Sequence, residues 1–543
     1  MLTCPGKSVF EGIVIGKISV YQKDQQKVRY EKIDDVDREV ERFRAARIEA
    51  AQQLQNLYEK ALREVGKAAA AIFEIHRMIL EDKEYGKSVE EIICDQKVNA
   101  EYAAARTGDK FAEMFASMED DYMRSREADV KDISERLILA LKGEAAETVG
   151  INEPVILAAD DLAPSEMVQL NRDMILCIVT AHGSVYSHTA ILAKNMGIPA
   201  MIGCSIPLDE SVDGRRAVVN GKDGCVYIDP DEKLLERMML LQNEEAGKKE
   251  LLQKLKGKEN ITLDGRRMIL HANIESSEGI ASVLQNDADG IGLFRSEFIY
   301  LEREDFPSEE EQFRIYKTAA EKMEGKPVII RTLDIGADKK CAYFKMEEEE
   351  NPAMGCRAIR ICLTRPEILR TQLRALFRAA ACGNISVIYP MITSVTEIHR
   401  IREIVSEVKN ELKREGARFR EPKQGIMIET PAAVMMSDEL AKEADFFSIG
   451  TNDLTQYTLA IDRQNASLDA FYDPHHPAVL RMIRMVVDNA HKAGIWVGIC
   501  GELGADTSLT RTFLEMGVDE LSMSPECILP IRQIIRKTDL SGE

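Results

Sequence analysis

Apolar positions change their spacing three times along the chain. From Met1 to about Val20, short apolar stretches mix with small residues, as in Gly12-Ile13-Val14-Ile15-Gly16, which predicts a strand or two. From about Asp34 to Lys142 they recur at helical spacing among Glu, Lys, Arg and Ala with no proline, which predicts several helices packed as hairpins. From Ile151 the pattern becomes strand-like. Pro154–Leu157 and Met174–Val179 are apolar runs of strand length, and Ala217–Gly221 with Gly224–Ile228 form a predicted hairpin. One helix is predicted between them, His188 to Met196, closed by Gly197 and then Ile198-Pro199. A long polar helix from about Asp231 to Lys258 follows and reads as a linker.

The rest of the chain alternates eight short apolar runs with helical patterns: Met268–Asn273, Gly290–Arg295, Val328–Leu333, Ser386–Met391, Gly425–Glu429, Asp445–Gly450, Trp496–Cys500 and Glu520–Met523. Strand–helix repetition means parallel sheet, and eight repeats are the size of a (β/α)8 TIM barrel. Reactive residues of that fold follow the C-terminal ends of strands. Arg295 ends the second run, Arg331 lies in the third with Asp334 just beyond, and Glu429 ends the fifth. Asn452-Asp453 follow the sixth run, and Cys500-Gly501-Glu502 ends the seventh. Arginine forks suit a small ligand carrying both phosphate and carboxylate. Glu429 and Asp453, from different strands, suit Mg²⁺, which takes one or two protein carboxylates and fills its shell with substrate oxygens.

Composition narrows this reading. At 543 residues, 45% hydrophobic and 30% charged, the chain is long enough for several globular domains. A net charge of −21 argues against a nucleic-acid binder and fits a basic protein partner. No apolar run reaches the ~18 residues of a membrane span, and Met1–Tyr21 lacks the core of a signal peptide, so a cytoplasmic home is expected. Eleven cysteines without a CxxC pair suggest neither zinc nor disulfides. Glu347–Glu350 reads as a solvated loop and His76 as part of a surface. His475 and His476 read as poor co-ligands, pointing different ways.

His188 stands apart. In Gly183-Ser184-Val185-Tyr186-Ser187-His188-Thr189-Ala190 small residues precede a histidine that opens a helix, where free N–H groups and the dipole favour anions. Ser187 and Thr189 can add hydroxyl donors. An imidazole of reference pKa near ~6.5 can attack phosphorus at neutral pH, although a histidine here can equally be a cap.

Taken together, Ser187-His188-Thr189-Ala190 with Gly197-Ile198-Pro199-Ala200, Gly290–Phe298, Phe446–Tyr457 and Cys500-Gly501-Glu502-Leu503 resemble enzyme I of the bacterial sugar phosphotransferase system, a phosphoenolpyruvate-utilising family, from about residue 6 to 538. The resemblance implies a phosphohistidine at His188, phosphoenolpyruvate on Arg295, Arg331, Asn452 and Arg463 with Arg357 close by, Mg²⁺ on Glu429 and Asp453, and Cys500 as proton donor. It also implies a swivelling phosphohistidine domain at residues 1–29 and 146–230, and a helical insert at 30–145 that docks the phosphocarrier HPr. A linker helix at 231–261 and a phosphoenolpyruvate-binding barrel at 262–543 that forms a homodimer complete the set. Two departures from the family pattern fall before His188 (Val185, Tyr186) and in the insert, where Lys67 and Ala68 replace an acidic pair while Glu74, His76, Asp82, Glu84 and Arg126 remain. The chain stops at Glu543, earlier than is usual. The alternatives are a regulatory paralogue that binds phosphoenolpyruvate and an enzyme like pyruvate phosphate dikinase. The latter needs a nucleotide site, and Gly6-Lys7-Ser8 and Gly86-Lys87-Ser88 lack the upstream glycine of a phosphate loop.

Overall fold

A computed structural model describes residues 1–10, 12–21, 28–64, 67–117, 121–143, 153–183, 188–301, 303, 305–336, 342–347, 349–465, 468 and 470–542. The side chains of Lys67, Ala68 and His188, and all of Ser184–Ser187, lie outside the described set. Contacts divide the chain into two units, Met1–Gly247 and Lys248–Glu543. No helix among the described residues is long and apolar enough to cross a membrane.

The first unit is built on an eight-stranded sheet of β1 (Leu2–Pro5), β2 (Lys7–Ser8), β3 (Ile13–Tyr21), β4 (Val155–Ala159), β5 (Ile175–Thr180), β6 (Ala200–Ile202), β7 (Arg216–Asn220) and β8 (Cys225–Ile228). The strands lie in the order β1-β8-β7-β3-β4-β5-β6-β2. The expected hairpin forms, with Ala217 opposite Ile228. Between β3 and β4 come, among the described residues, five helices: α1 (Val36–Glu64), α2 (Lys67–Glu81), α3 (Lys83–Gln96), α4 (Ala100–Ala116) and α5 (Asp121–Lys142). Their apolar stripes close on one core that includes Phe43, Leu54, Phe73, Tyr85, Ile93 and Leu137. Asp82 starts α3 by accepting the N–H groups of Glu84 and Tyr85, the usual way to satisfy donors left free at a helix start.

The helix His188–Met196 has the predicted bounds. It is not alone, because a short helix, Pro164–Gln169, also lies between the strands; its Glu166 reaches back to the Ala163 N–H at 2.7 Å and accepts the Tyr21 hydroxyl at 2.9 Å. Six residues carry too little periodicity to announce a helix, and the three-residue β6 escapes for the same reason. The polar helix Glu232–Gln253 packs Met238 against Ile13 and Val218 and donates from Gln242 to the Ile13 carbonyl at 3.0 Å.

The second unit is a closed, all-parallel barrel, as the eight apolar runs predict: β9 (Ile269–Ile274), β10 (Gly290–Arg295), β11 (Val328–Arg331), β12 (Ile385–Tyr389), β13 (Lys423–Ile428), β14 (Phe446–Ile449), β15 (Trp496–Ile499) and β16 (Glu520–Met523). Closure is made by β16 on β9, with Glu520 beside Ile269 and Met523 beside Ala272. Side chains alternate across each strand. Outward ones such as Ile330, Ile426 and Phe447 join the helices in one large core, whereas Leu293, Ile329, Ile388, Met427 and Phe446 pack inside the barrel. Burying each such side chain stabilises the fold by about 1.5–3 kcal/mol. The same alternation decides what reaches the mouth. Arg295 shares a face with Leu293, Arg331 with Ile329, and Glu429 with Met427, so all three turn inward.

Candidate active site

Arg295 and Arg331 are register partners on neighbouring strands β10 and β11. Arg295 pairs with Glu275 at 3.0 Å and stays partly exposed. Arg331 is buried against Glu297 and against Asp334 at 2.7 Å. Asp334 also takes Arg357 at 3.0 Å, and Arg357 extends to Asp453 at 3.0 Å and to the Tyr457 hydroxyl at 3.1 Å. One continuous charged chain thus runs from Glu297 to Asp453. Burial works against the charge on both buried arginines, but the facing carboxylates, Asp334 first, outweigh it and raise both pKa values.

The backbone strains to present Arg357. Ala358 adopts φ 52° and ψ −124°, a region L-residues avoid. Gly336, at φ 117°, gives Arg357 room, because a Cβ there would stand 2.4 Å from the arginine's own Cβ.

Glu429 follows β13 and is fully buried. Its Oε1 accepts the Met391 N–H at 2.6 Å, a donor turned inward by Met391's φ of 57°. Its Oε2 has no hydrogen-bond partner among the described residues. Burial, then the charges of Asp453 and Asp334, push its pKa up to about 8, against the opposing pull of Arg331 and Arg357. A buried carboxylate oxygen that no donor satisfies, beside a second carboxylate, is suited to a hard divalent cation. Among the described residues no group of three or more His, Cys, Asp or Glu side chains has metal-holding geometry, so a cation here would draw its remaining ligands from substrate and water.

Cys500 lies just beyond β15, 3% exposed, with its sulfur 3.6 Å from the Ile449 carbonyl. Burial pushes the thiol up to about 12, with the Ser448 hydroxyl working the other way. The thiol therefore stays protonated more firmly than the free-cysteine value near ~8.5 suggests. Asn452, in the first turn of the helix Thr451–Leu459, donates to Glu502 Oε1 at 3.1 Å and accepts the Glu502 N–H at 2.9 Å. Glu502 also lines a cleft of about 360 Å³ with Arg463, Gln464 and Tyr472. Arg463 itself is exposed, its N–H held by Gln456 Oε1 at 3.1 Å.

Residues 249–540 match the model of the PEP-utilising enzyme, PEP-binding domain; residues 5–126 match the N-terminal and 151–224 the mobile domain of the same enzymes. A phosphoenolpyruvate-protein phosphotransferase of Priestia megaterium is 41% identical over 98% of this chain and 93% of its own length. The chain belongs to the phosphoenolpyruvate-protein phosphotransferase family of PEP-utilising enzymes. Family members named in the same way from Listeria innocua serovar 6a (40% identical, 99% of this chain and 94% of that one) and Haemophilus influenzae (42%, 97% and 92%) are similarly close.

Within this phosphotransferase fold, the barrel gathers Arg331, Arg357, Glu429 and Asp453 into one charged network, with Arg295 beside it; Asn452 is bonded to Glu502, which lines one cleft with Arg463. His188 belongs to the other unit, at the start of its helix. Its neighbour Thr189 does not serve as an anion donor, because its hydroxyl is buried and committed to the Leu162 carbonyl at 2.7 Å. His76 is not a surface residue: it is fully buried, 3.2 Å from Asp129 and 3.6 Å from Asp132. Arg126 is buried too, 2.9 Å from Asp129, whereas Glu74, Asp82 and Glu84 remain exposed. The acidic run at 347–350 is only partly a solvated loop, since Glu349 accepts the Cys356 N–H at 2.9 Å and so holds the approach to Arg357. His475 and His476 do diverge, the first to Asp506 at 2.5 Å and the second to the Ala478 N–H at 3.2 Å. Glu297, Tyr457 and the Met391 N–H were not foreseen. Glu297 and Tyr457 lie inside the motifs Gly290–Phe298 and Phe446–Tyr457 and were the more accessible to sequence reasoning.

Proposed function

We propose that this enzyme takes the phosphoryl group of phosphoenolpyruvate onto His188 and passes it to a histidine phosphocarrier of the HPr type, the first step of phosphotransferase-dependent sugar uptake in the cytoplasm. The observation that carries the reading is the barrel mouth, where permanently charged arginines stand against carboxylates that can share a cation.

Arg295, Arg331 and Arg463 bind the phosphate and carboxylate of the substrate, with Asn452 beside them. Arg357 keeps Asp453 oriented. Glu429 and Asp453 would hold Mg²⁺, which would supply neutralisation of charge on the phosphoryl and enolate oxygens. The neutral His188 imidazole attacks phosphorus, the bond between phosphorus and the enol oxygen breaks, and the nitrogen–phosphorus bond forms. Cys500 gives its proton to the enolate carbon, and pyruvate leaves. Residues 1–29 with 146–230 carry His188 as a mobile domain, residues 30–145 present the carrier-docking helices, 231–261 link, and 262–543 bind substrate and pair as a homodimer.

The test is incubation with labelled phosphoenolpyruvate, with and without Mg²⁺, followed by phosphopeptide mapping. Label appears on the peptide containing His188 only when the metal is present, and ATP does not substitute. Label retained by His188→Ala would overturn the assignment.

A further inference from the structure

Cys500 is fixed through its backbone at both ends. Its N–H donates to the Ile449 carbonyl on β14 at 3.1 Å. Its carbonyl, beyond the last ladder bond of β15, is taken by a side chain: Asn273 Nδ2, from β9, donates to it at 3.0 Å. The same Nδ2 reaches the Ser522 carbonyl at 3.3 Å, and the Ser522 hydroxyl donates to Asn273 Oδ1 at 2.5 Å. Both ends of the amide are therefore engaged, and the side chain has one orientation. A carboxylate could not fill this position, because it has no N–H to give the two carbonyls.

The surroundings are shaped around this strut. A Cβ at Gly292 would stand 2.3 Å from the Ser522 hydroxyl, so the glycine of β10 clears the space in which Ser522 turns toward Asn273. Past the cysteine, a Cβ at Gly501 would stand 2.0 Å from Thr451 Oγ1, so the chain lies close against the helix that carries Asn452 and Asp453. Below, His271 and Glu520 are buried and paired at 2.7 Å, which gives the β9–β16 seam a polar filling continuous with Asn273 and Ser522.

We infer that Asn273 is a positioning residue for the carbon-protonation step, holding Cys500 through its carbonyl so that the thiol meets one face of the enolate. The inference rests on the reading of Cys500 as proton donor. In that step carbon 3 of the enolate gains the proton, the sulfur is left as thiolate, and water returns a proton to it after pyruvate leaves. Proton transfer tolerates little displacement: a misplacement of about 1 Å costs on the order of 10²-fold. Asn273 spends its amide on the Cys500 and Ser522 carbonyls and the Ser522 hydroxyl, so its loss should spare binding and affect the rate and the geometry of protonation.

The experiment uses the full-length enzyme with Mg²⁺, an excess of a histidine phosphocarrier of the HPr type to accept the phosphoryl group, and (Z)-[3-²H]phosphoenolpyruvate in tritiated water, followed by chirality analysis of the pyruvate methyl group. The wild type yields a methyl of one handedness. Asn273→Leu, similar in size but without polar atoms, is expected to form pyruvate about tenfold slower or worse, with KM for phosphoenolpyruvate within about threefold, and a methyl group driven toward racemic. Ser522→Ala, which leaves Asn273 in place but unlocked, should shift handedness the same way to a smaller extent and serves where Asn273→Leu fails to fold. Retention of rate and single handedness in both variants would overturn the proposal. So would a rise in KM matching the fall in rate with handedness kept, which marks a merely structural role. Cys500→Ala, run in parallel, separates the two readings: normal rate and handedness there would remove the proton donor itself, whatever Asn273 does.

Discussion

Arg357→Ala removes the middle of the charged chain at the barrel mouth. Arg357 is 6% exposed and neutralises Asp334 and Asp453, each at 3.0 Å. Its loss takes from Asp334 one of its two arginines and from Asp453 the arginine that pairs with it. Deleting one partner of a buried pair costs about 3–5 kcal/mol, because the remaining charge stays desolvated. That is about a fifth or more of a typical domain's stability of about 5–15 kcal/mol. The chain has a single tryptophan, Trp496, stacked on Phe446 at 4.6 Å between ring centroids, so its fluorescence reports barrel unfolding alone. With a urea slope near 3 kcal/mol per molar, the midpoint falls by about 1–2 M. Asp334→Asn in the same chain recovers part of this loss, since it removes one of the stranded charges, and the double-mutant cycle returns a coupling of at least about 1 kcal/mol. A cycle that adds to within about 0.5 kcal/mol would refute the reasoning, because the two groups would then not share one buried network.

Cys500→Ala should still bind phosphoenolpyruvate but release pyruvate about 10²–10⁴-fold more slowly, as expected for loss of a general acid. Because burial pushes the Cys500 thiol up to about 12, the wild-type rate of pyruvate formation should show no loss from thiol ionisation as pH rises from 7 to 10; an inflection near ~8.5 that vanishes in Cys500→Ala would contradict the burial. Glu429→Gln should abolish the Mg²⁺ dependence of phosphoenolpyruvate turnover along with most of the turnover, and retained metal-dependent activity would place the cation elsewhere. Ala358→Gly should raise barrel stability by about 1 kcal/mol in the Trp496 assay, the relieved backbone strain exceeding the added chain entropy. Lys67→Glu with Ala68→Glu should speed phosphotransfer to an ordinary HPr at low salt, since complementary charge acts chiefly on the association rate; no gain there would exclude these two positions from carrier choice.

The sequence disclosed those parts of the site that follow from period-two alternation and strand ends. Arg295, Arg331 and Glu429 sit where alternation turns side chains inward, and Cys500 follows a strand whose limits were evident. Asn273 was the last residue of a predicted strand, yet its partners are Cys500 and Ser522, and only the closure of β16 on β9 brings them together. Asp334 was visible as a strand-end acid, but not as the bridge between two arginines, because Arg357 arrives through a loop whose path depends on Gly336 and Ala358. His76 is a different case. It falls on the stripe Ile72, Phe73, His76, Leu80, whose helical spacing already marks a buried face, so its burial was legible and its polarity distracted from it.

The insertion of the five helices between β3 and β4 has a consequence for how the first unit folds. Those strands are parallel neighbours, Lys17 beside Val155 through to Tyr21 beside Ala159, although well over a hundred residues separate them. The sheet cannot form that pairing until the intervening chain brings Tyr21 and Val155 close. Left unstructured, such a long loop resists closure, though the entropic penalty grows only with the logarithm of its length. The helices make mostly local contacts, which form quickly. Once paired, they shorten the loop to the distance between the start of α1 and the end of α5. Helix assembly before strand pairing is thus the order with the smaller entropic cost. It also frees the two elements to change at different rates, since any helical module that returns its ends to the same spacing leaves the ladder from Lys17 to Ala159 intact.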